Sequence, residues 1–348
     1  MKKSDRKDRK AEPRAAAGAA TGRDGGKTRK RRRAAAETAG LEPVVAGATA
    51  DQASKPARSV QAGMTGAEAL ASFLRAGAAE YDRQRALVLE TADPEPTHKA
   101  RVALRRMRAI LGGFAPILSQ DGLKSLQRDL RQAFRAFGPL RDADVRAEEF
   151  ADTPAADAHR AAAAALRDEL RARLSDPAAQ TLTAQLDTRL ADPRFWRKGG
   201  AGRRLGDAPA QVAGQRAMHE AWTAMLAFGD DLSALSIEDR HEFRKDAKSM
   251  RYLSEAFRPL WPGDPAKGFL SRMTKLQDAL GIMNDIAGFR AHAEAQAGDD
   301  ADAETTDDAA PHLPDDLDAR ESAAAKAAQK GWDRLRDKGP WWAGSAAG

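Results

Sequence analysis

The chain carries one helix-sized segment twice. "HKARVALRRMR" starts at His98 and "HEFRKDAKSMR" at His241, so adding 143 to a residue number maps one on the other. His98 falls on His241, Arg101 on Arg244, Arg105 on Lys248 and Arg108 on Arg251. Met107 meets Met250, Phe114 meets Phe257 and Pro116 meets Pro259. The register runs without a gap to Gly138 on Gly281 and Asp142 on Asp285, within "FGPLRDADV" and "LGIMNDIAG". Each copy also closes on aromatics, "RFW" at Arg194–Trp196 and "PWW" at Pro340–Trp342, with the offset slipped by a few residues. A repeat of this length is an internal duplication, and it obliges the chain to build one supersecondary unit twice.

The unit is helical. No segment alternates apolar and polar residues over a useful length, and Ala, Leu and Arg outnumber β-branched residues, which favours helix. Predicted helices cover 67–90, 98–118 with Thr97 as cap, 123–137, 141–150, 156–174 and 178–190. A second set covers 211–228, 238–257, 265–280, 282–297 and 317–337, in the same order. "RKGGAG" (Arg197–Gly202) reads as the linker between them. The expectation is an all-α fold of two pseudo-twofold-related four-helix bundles, one over 63–199 and one over 200–348.

Charge is segregated along the chain. Residues 1–40 hold 14 Lys/Arg against 5 Asp/Glu, whereas residues 294–321 hold 11 acids against one Arg. Residues 1–62 lack apolar periodicity and read as a disordered basic tail containing "KTRKRRR" (Lys27–Arg33). The stretch near 297–316 reads as an acidic loop. "GRDGGKT" falls short of a phosphate-binding P-loop, because Thr21 stands where its first glycine is needed and no strand precedes it. There is no cysteine, which excludes disulfides and thiolate chemistry. No apolar run is long enough to span a membrane.

On a helical wheel His98, Arg101, Arg105 and Arg108 lie within an arc of roughly 80°, and His241, Arg244, Lys248 and Arg251 occupy the same arc. Lys99, Arg106 and Lys245 flank it. Opposite stand Ala100, Met107, Leu111 and Phe114 in one copy, and Phe243, Met250, Phe257 and Trp261 in the other, which are core candidates. Like charges one turn apart repel by a few tenths of a kcal/mol per pair. Neither helix interleaves acids on this face, so the stripe expects an anion from outside.

These paired motifs, each followed by a segment like "LG..RD.DV", resemble the CHAD family, the conserved histidine α-helical domain, over about residues 65–345. The resemblance implies two four-helix bundles and binding of inorganic polyphosphate by basic residues of the two helices. Carried onto this chain, those are His98, Lys99, Arg101, Arg105, Arg106, Arg108, His241, Arg244, Lys245, Lys248 and Arg251. It also implies association with polyphosphate granules in the cytoplasm. The ExExK motif of the triphosphate-tunnel domain fused to many members is absent. Ser249 replaces the arginine that the first copy has at Arg106, which implies weaker binding by the second copy.

Other readings of the same residues make different demands. A single-stranded nucleic-acid binder adds aromatic platforms for bases, and the stripes offer only Tyr252 at one edge. A metal site or a phosphoryl-transfer centre needs ligands that His98 and His241 lack, since neither has a His or carboxylate at i+4 on its face. Asp142 and Asp285 are the repeated acids nominated for such a role, and after glycine turns they read as capping or pairing residues. His159, His219, His292 and His312 fall outside the repeat. The reading is therefore a polyphosphate-binding protein without catalysis, cofactor or metal. With an intrinsic pKa near 6.5, a histidine among arginines is held neutral until a polyanion arrives.

Overall fold

The computed structural model describes residues 60–175, 181–299 and 316–343. The basic tail up to residue 59 and the acidic stretch 300–315 lie outside them, as does His312. Every regular element of the described residues is a helix, with two isolated bridges, Thr65 to Pro209 and Leu118 to Trp196. None of these helices is long and apolar enough to cross a membrane.

The helices are α1 Gly66–Glu90, α2 Glu95–Gly113, α3 Gln120–Ala136, α4 Gly138–Glu149, α5 Ala156–Leu174, α6 Leu182–Ala191, α7 Gly200–Asp207, α8 Ala210–Leu226, α9 Ile237–Phe257, α10 Ala266–Asp299 and α11 Leu317–Lys338. Their ends follow local chemistry. Thr65 and Glu68 form a reciprocal capping box at α1. Ser119 accepts from Gly122 N at 3.1 Å at α3, and Ser236 accepts from Asp239 N at 3.0 Å at α9.

Several sequence expectations need correction. Thr97 does not cap α2: Pro94 is the N-cap and Pro96 sits in the first turn, where its missing N–H is harmless, so the helix starts three residues earlier. The glycine-rich run from Arg197 is not a free linker, because α7 begins at Gly200 within it. The expected helices 265–280 and 282–297 are one continuous α10. The first copy breaks at this point because Pro139 has no N–H to return to Arg135. The second copy has Ile282 there, and its helix runs on.

The described residues belong to one compact unit. Helix α1 packs on α2 and α8 on α9, while α2 touches both α8 and α9. The apolar residues read as core are buried throughout, from Ala100 and Met107 to Phe257 and Trp261. One hydrophobic cluster runs through both sequence copies. At its centre Phe257 stacks on Phe114 at 5.5 Å and receives the edge of Phe73 at 5.3 Å. Each ring removed from water contributes roughly 1.5–3 kcal/mol.

Candidate functional site

The cationic face of α2 is turned toward α3, and its arginines gather around one ring. The guanidinium of Arg101 lies 4.0 Å from the centroid of Phe134, that of Arg108 5.3 Å and that of Arg105 5.8 Å. Arg101 also donates from Nη1 to the Phe134 carbonyl at 3.2 Å. It is only 9% exposed, so it is a strut between α2 and α3 more than a surface cation. Gly138 leaves room for it, since a Cβ there would stand 3.2 Å from Nη1. Arg105, Arg108, His98 and Lys99 are half-buried along the same helix. Lys99 pairs with Glu95 one turn earlier at 3.4 Å.

Arg106 points elsewhere, across to α9. Its Nη2 lies 3.4 Å from Glu255, and its guanidinium is 5.5 Å from the Tyr252 ring. Arg251 reaches the other oxygen of Glu255 at 3.4 Å and lies 5.2 Å from the same ring. Arg251 is 8% exposed and Tyr252 3%. Glu255, flanked by two arginines and one tyrosine, therefore clamps the two copies together. These three second-copy residues stand opposite Arg108, Ala109 and Gly112 in the repeat, so the clamp has no counterpart of its own kind.

The cationic face of α9 is turned toward α10. Gln277 donates to the Ala247 carbonyl at 2.8 Å, which sets the register of the two helices. Gln277 stands where the first copy has Phe134, so an amide replaces the ring. Two turns onward, Asn284 hydrogen-bonds to both His241 and the Asp285 carboxylate, and Arg244 and Lys248 act on that carboxylate from α9. Burial raises Asp285 to about 6 against the opposing pull of Arg244. His241 is depressed, by burial first and by Lys245 second. Lys245 pairs with Glu242 at 3.0 Å.

The structure thus corrects the view of the stripes as carboxylate-free. Only α2 keeps acids off its own cationic face: on α9 Glu255 lies one turn beyond Arg251 and also meets Arg106, and α10 brings Asp285 near Arg244 and Lys248. Asp142 and Asp285 are not caps, since both lie inside helices. Sequence reasoning missed Phe134, Asn284 and Glu255. Phe134 and Glu255 sit at positions where the repeat is not kept, so the register that exposed the cations hid their partners. Only the i, i+4 spacing of Arg251 and Glu255 was visible.

A second buried pair ties α4 to α5. Arg167 donates to Asp144 at 2.6 Å, with both side chains nearly inaccessible. Burial outweighs the arginine and raises Asp144 to about 6. Among the described residues no group of three His, Cys, Asp or Glu is arranged to hold a metal ion.

The comparisons with known proteins point to one family. The CHAD domain model matches residues 72–294, well over half the chain. The crystal structure of the CHAD domain from the plant Ricinus communis is similar at 21% identity and a TM-score of 0.60, covering 83% of this chain and 98% of that one. PptA from Streptomyces chartreusis is 21% identical over 77% of this chain and 99% of its own, at a TM-score of 0.46 too low to bear on the fold. No curated protein matches. With an all-helical body, two registered cationic helices packed against each other and a family model spanning both, the chain belongs to the CHAD domain family.

Proposed function

We propose that the protein binds inorganic polyphosphate, without catalysis, on the cationic faces of α2 and α9. The observation that supports this most is the cluster of Arg101, Arg105 and Arg108 around Phe134. An aromatic ring orients guanidinium groups without itself cancelling their charge. Polyphosphate carries about one charge per phosphate and follows a row of cations, and arginine meets its oxygens bidentately. Release of counterions would supply most of the affinity and make it salt-sensitive. Cytoplasmic polyphosphate granules are the corresponding location, and the Arg106–Glu255–Arg251 clamp would let one chain run from one face to the other.

Single-stranded nucleic acid is the competing ligand. The two rings near the stripes favour polyphosphate, because Phe134 is 5% exposed and Tyr252 3%, which leaves no open face for a base to stack on.

The test is a charge reversal that spares the fold. Arg101 is a buried strut, so the variant is Arg105→Glu with Arg108→Glu. Long-chain polyphosphate binding should fall by on the order of a hundredfold at low salt, with the helical circular dichroism unchanged. Undiminished affinity, or equal affinity of the native protein for single-stranded RNA of matched charge, overturns the proposal.

A further inference from the structure

A further row of cations runs along α3, outside the two registered stripes. At about 100° per residue, α3 turns Leu126, Leu130 and Phe134 inward. Beyond Phe134, on its solvent side, Arg131, Lys124, Arg135 and Arg128 share an arc of roughly 60°. The three apolar residues are buried, Arg131 is half-buried, and Lys124, Arg128 and Arg135 are exposed. The acids of α3 leave this arc largely open. Asp121 stays in the first turn, where the helix dipole favours it. Asp129 lies about 100° beyond Arg128 and is held by Arg189 of α6. It also meets Arg128 at 3.1 Å, a surface pair that leaves the arginine side chain 73% exposed. Among the described residues no ion pair engages Lys124 or Arg131. The Nε of Arg131 is buried without an acceptor, so this guanidinium has hydrogen-bonding capacity to spare.

This row joins the α2 face. The bond from Arg101 to the Phe134 carbonyl puts the N-terminal half of α2 beside the C-terminal end of α3, and a short connection makes the two helices antiparallel. Phe134 is their shared edge. Arg105 and Arg108 approach its ring from α2, and Arg131 stands one turn away on α3, with Cβ atoms about 5–6 Å apart. Arg128 and Lys124 follow at one-turn steps beside the C-terminal half of α2. In the second copy the four positions are Lys267, Ser271, Thr274 and Asp278, so the row belongs to the first copy alone. We infer that the outer face of α3 is a second polyphosphate track, continuous with α2 across Phe134. Lys124, Arg128 and Arg131 hold the stretch of chain that lies beyond Arg105 and Arg108. The inference rests on the polyphosphate reading above. A flexible polyanion bound on α2 presents its next phosphates to α3 at a high effective concentration, so cations too weak to bind by themselves add to the affinity. Not every exposed row can do this. On α11 Lys326, Lys330 and Arg334 share an arc, but Asp333 and Asp337 stand among them.

The experiment titrates full-length proteins with long-chain polyphosphate over a series of salt concentrations. One variant combines Lys124→Gln, Arg128→Gln and Arg131→Gln. Its control combines Lys326→Gln, Lys330→Gln and Arg334→Gln, all exposed on α11, and changes net charge equally. The α3 variant should bind about tenfold more weakly at low salt, and its slope of log affinity against log salt should be shallower by about two, as for three lost phosphate contacts on a single strand. The α11 variant should stay within about twofold of the native protein and keep its slope. Arg131 is half-buried, so a variant with only Lys124→Gln and Arg128→Gln covers the case in which the triple one loses its helical circular dichroism; it should weaken binding about threefold. Native affinity in the folded α3 variants would make this face ordinary solvated surface and overturn the inference, with the polyphosphate reading intact. Equal losses in the α3 and α11 variants would reduce the effect to net charge and overturn it too. Failure of the native protein to bind polyphosphate would overturn that reading and this inference together.

Discussion

The two copies keep their cations in register and support them by opposite means. In the first, Phe134 gathers Arg101, Arg105 and Arg108 around a neutral ring. In the second, Gln277 takes the ring's place, and Asp285 and Asn284 hold Arg244, Lys248 and His241. The same helix, built twice, is therefore backed by an aromatic ring in one copy and by an amide in the other. What differs between the copies is the shell around the cations.

The largest break in this comparison should come from the ring. Phe134→Ala removes a buried aromatic and the support of three guanidinium groups, and should lower unfolding free energy by about 3–5 kcal/mol in a denaturant titration. Gln277→Ala at the equivalent place loses one hydrogen bond and should lower it by only about 1 kcal/mol. Equal losses would mean that the ring is ordinary core and that the contrast between the copies is one of appearance.

The clamp between the copies should give a smaller effect. Glu255→Gln leaves Arg106 and Arg251 facing each other over Tyr252 without their shared carboxylate. Stability should drop by about 1 kcal/mol, since the groups are about a quarter exposed and solvent weakens the pair. Polyphosphate affinity should rise slightly, because a competing anion has gone. A fall in affinity at unchanged stability would show Glu255 to order the binding face directly.

Acidity should separate the copies most finely. In the free protein His241 is depressed, so a bound polyanion that favours its imidazolium form takes up a proton, and affinity strengthens as pH falls from about 8 to about 6. Asp285, raised to about 6, loses its charge over the lower part of that window and adds to the trend. His241→Gln should flatten the upper part of the pH profile and Asp285→Asn the lower, whereas Phe134→Leu should leave the slope unchanged. A slope that survives both second-copy substitutions places the titrating groups elsewhere. For stability alone the signs oppose each other. Asp285 and Asp144, both raised to about 6, favour the folded state as pH falls from 7 toward 5. Depressed His241 disfavours it as pH falls below about 6.5.

The cations and the apolar face behind them could be read from the sequence because both rest on period and repetition. Met107, Met250, Phe114 and Phe257 needed only helical spacing to be placed in the core. Partners on other helices could not be read in this way. Nothing in the spacing of Phe134 says that three arginines converge on it, because that convergence depends on how α3 docks against α2. Arg101 and Arg251 look like surface charges on a wheel, and both are buried once neighbouring helices are in place. Pro139 marks the break in the first copy, and Ile282 at the equivalent place lets the second copy continue as one long helix.

The stacked pair Phe114 and Phe257, with Phe73 against it, has a consequence for inheritance. Phe114 and Phe257 are the same repeat position, so each copy completes the other's interior with its own image. A descendant that lost either copy would strand an aromatic surface in water and face the loss of the whole body. Once such rings have met, the duplication is irreversible. The copies are then free to diverge in what surrounds their cations, but not to part.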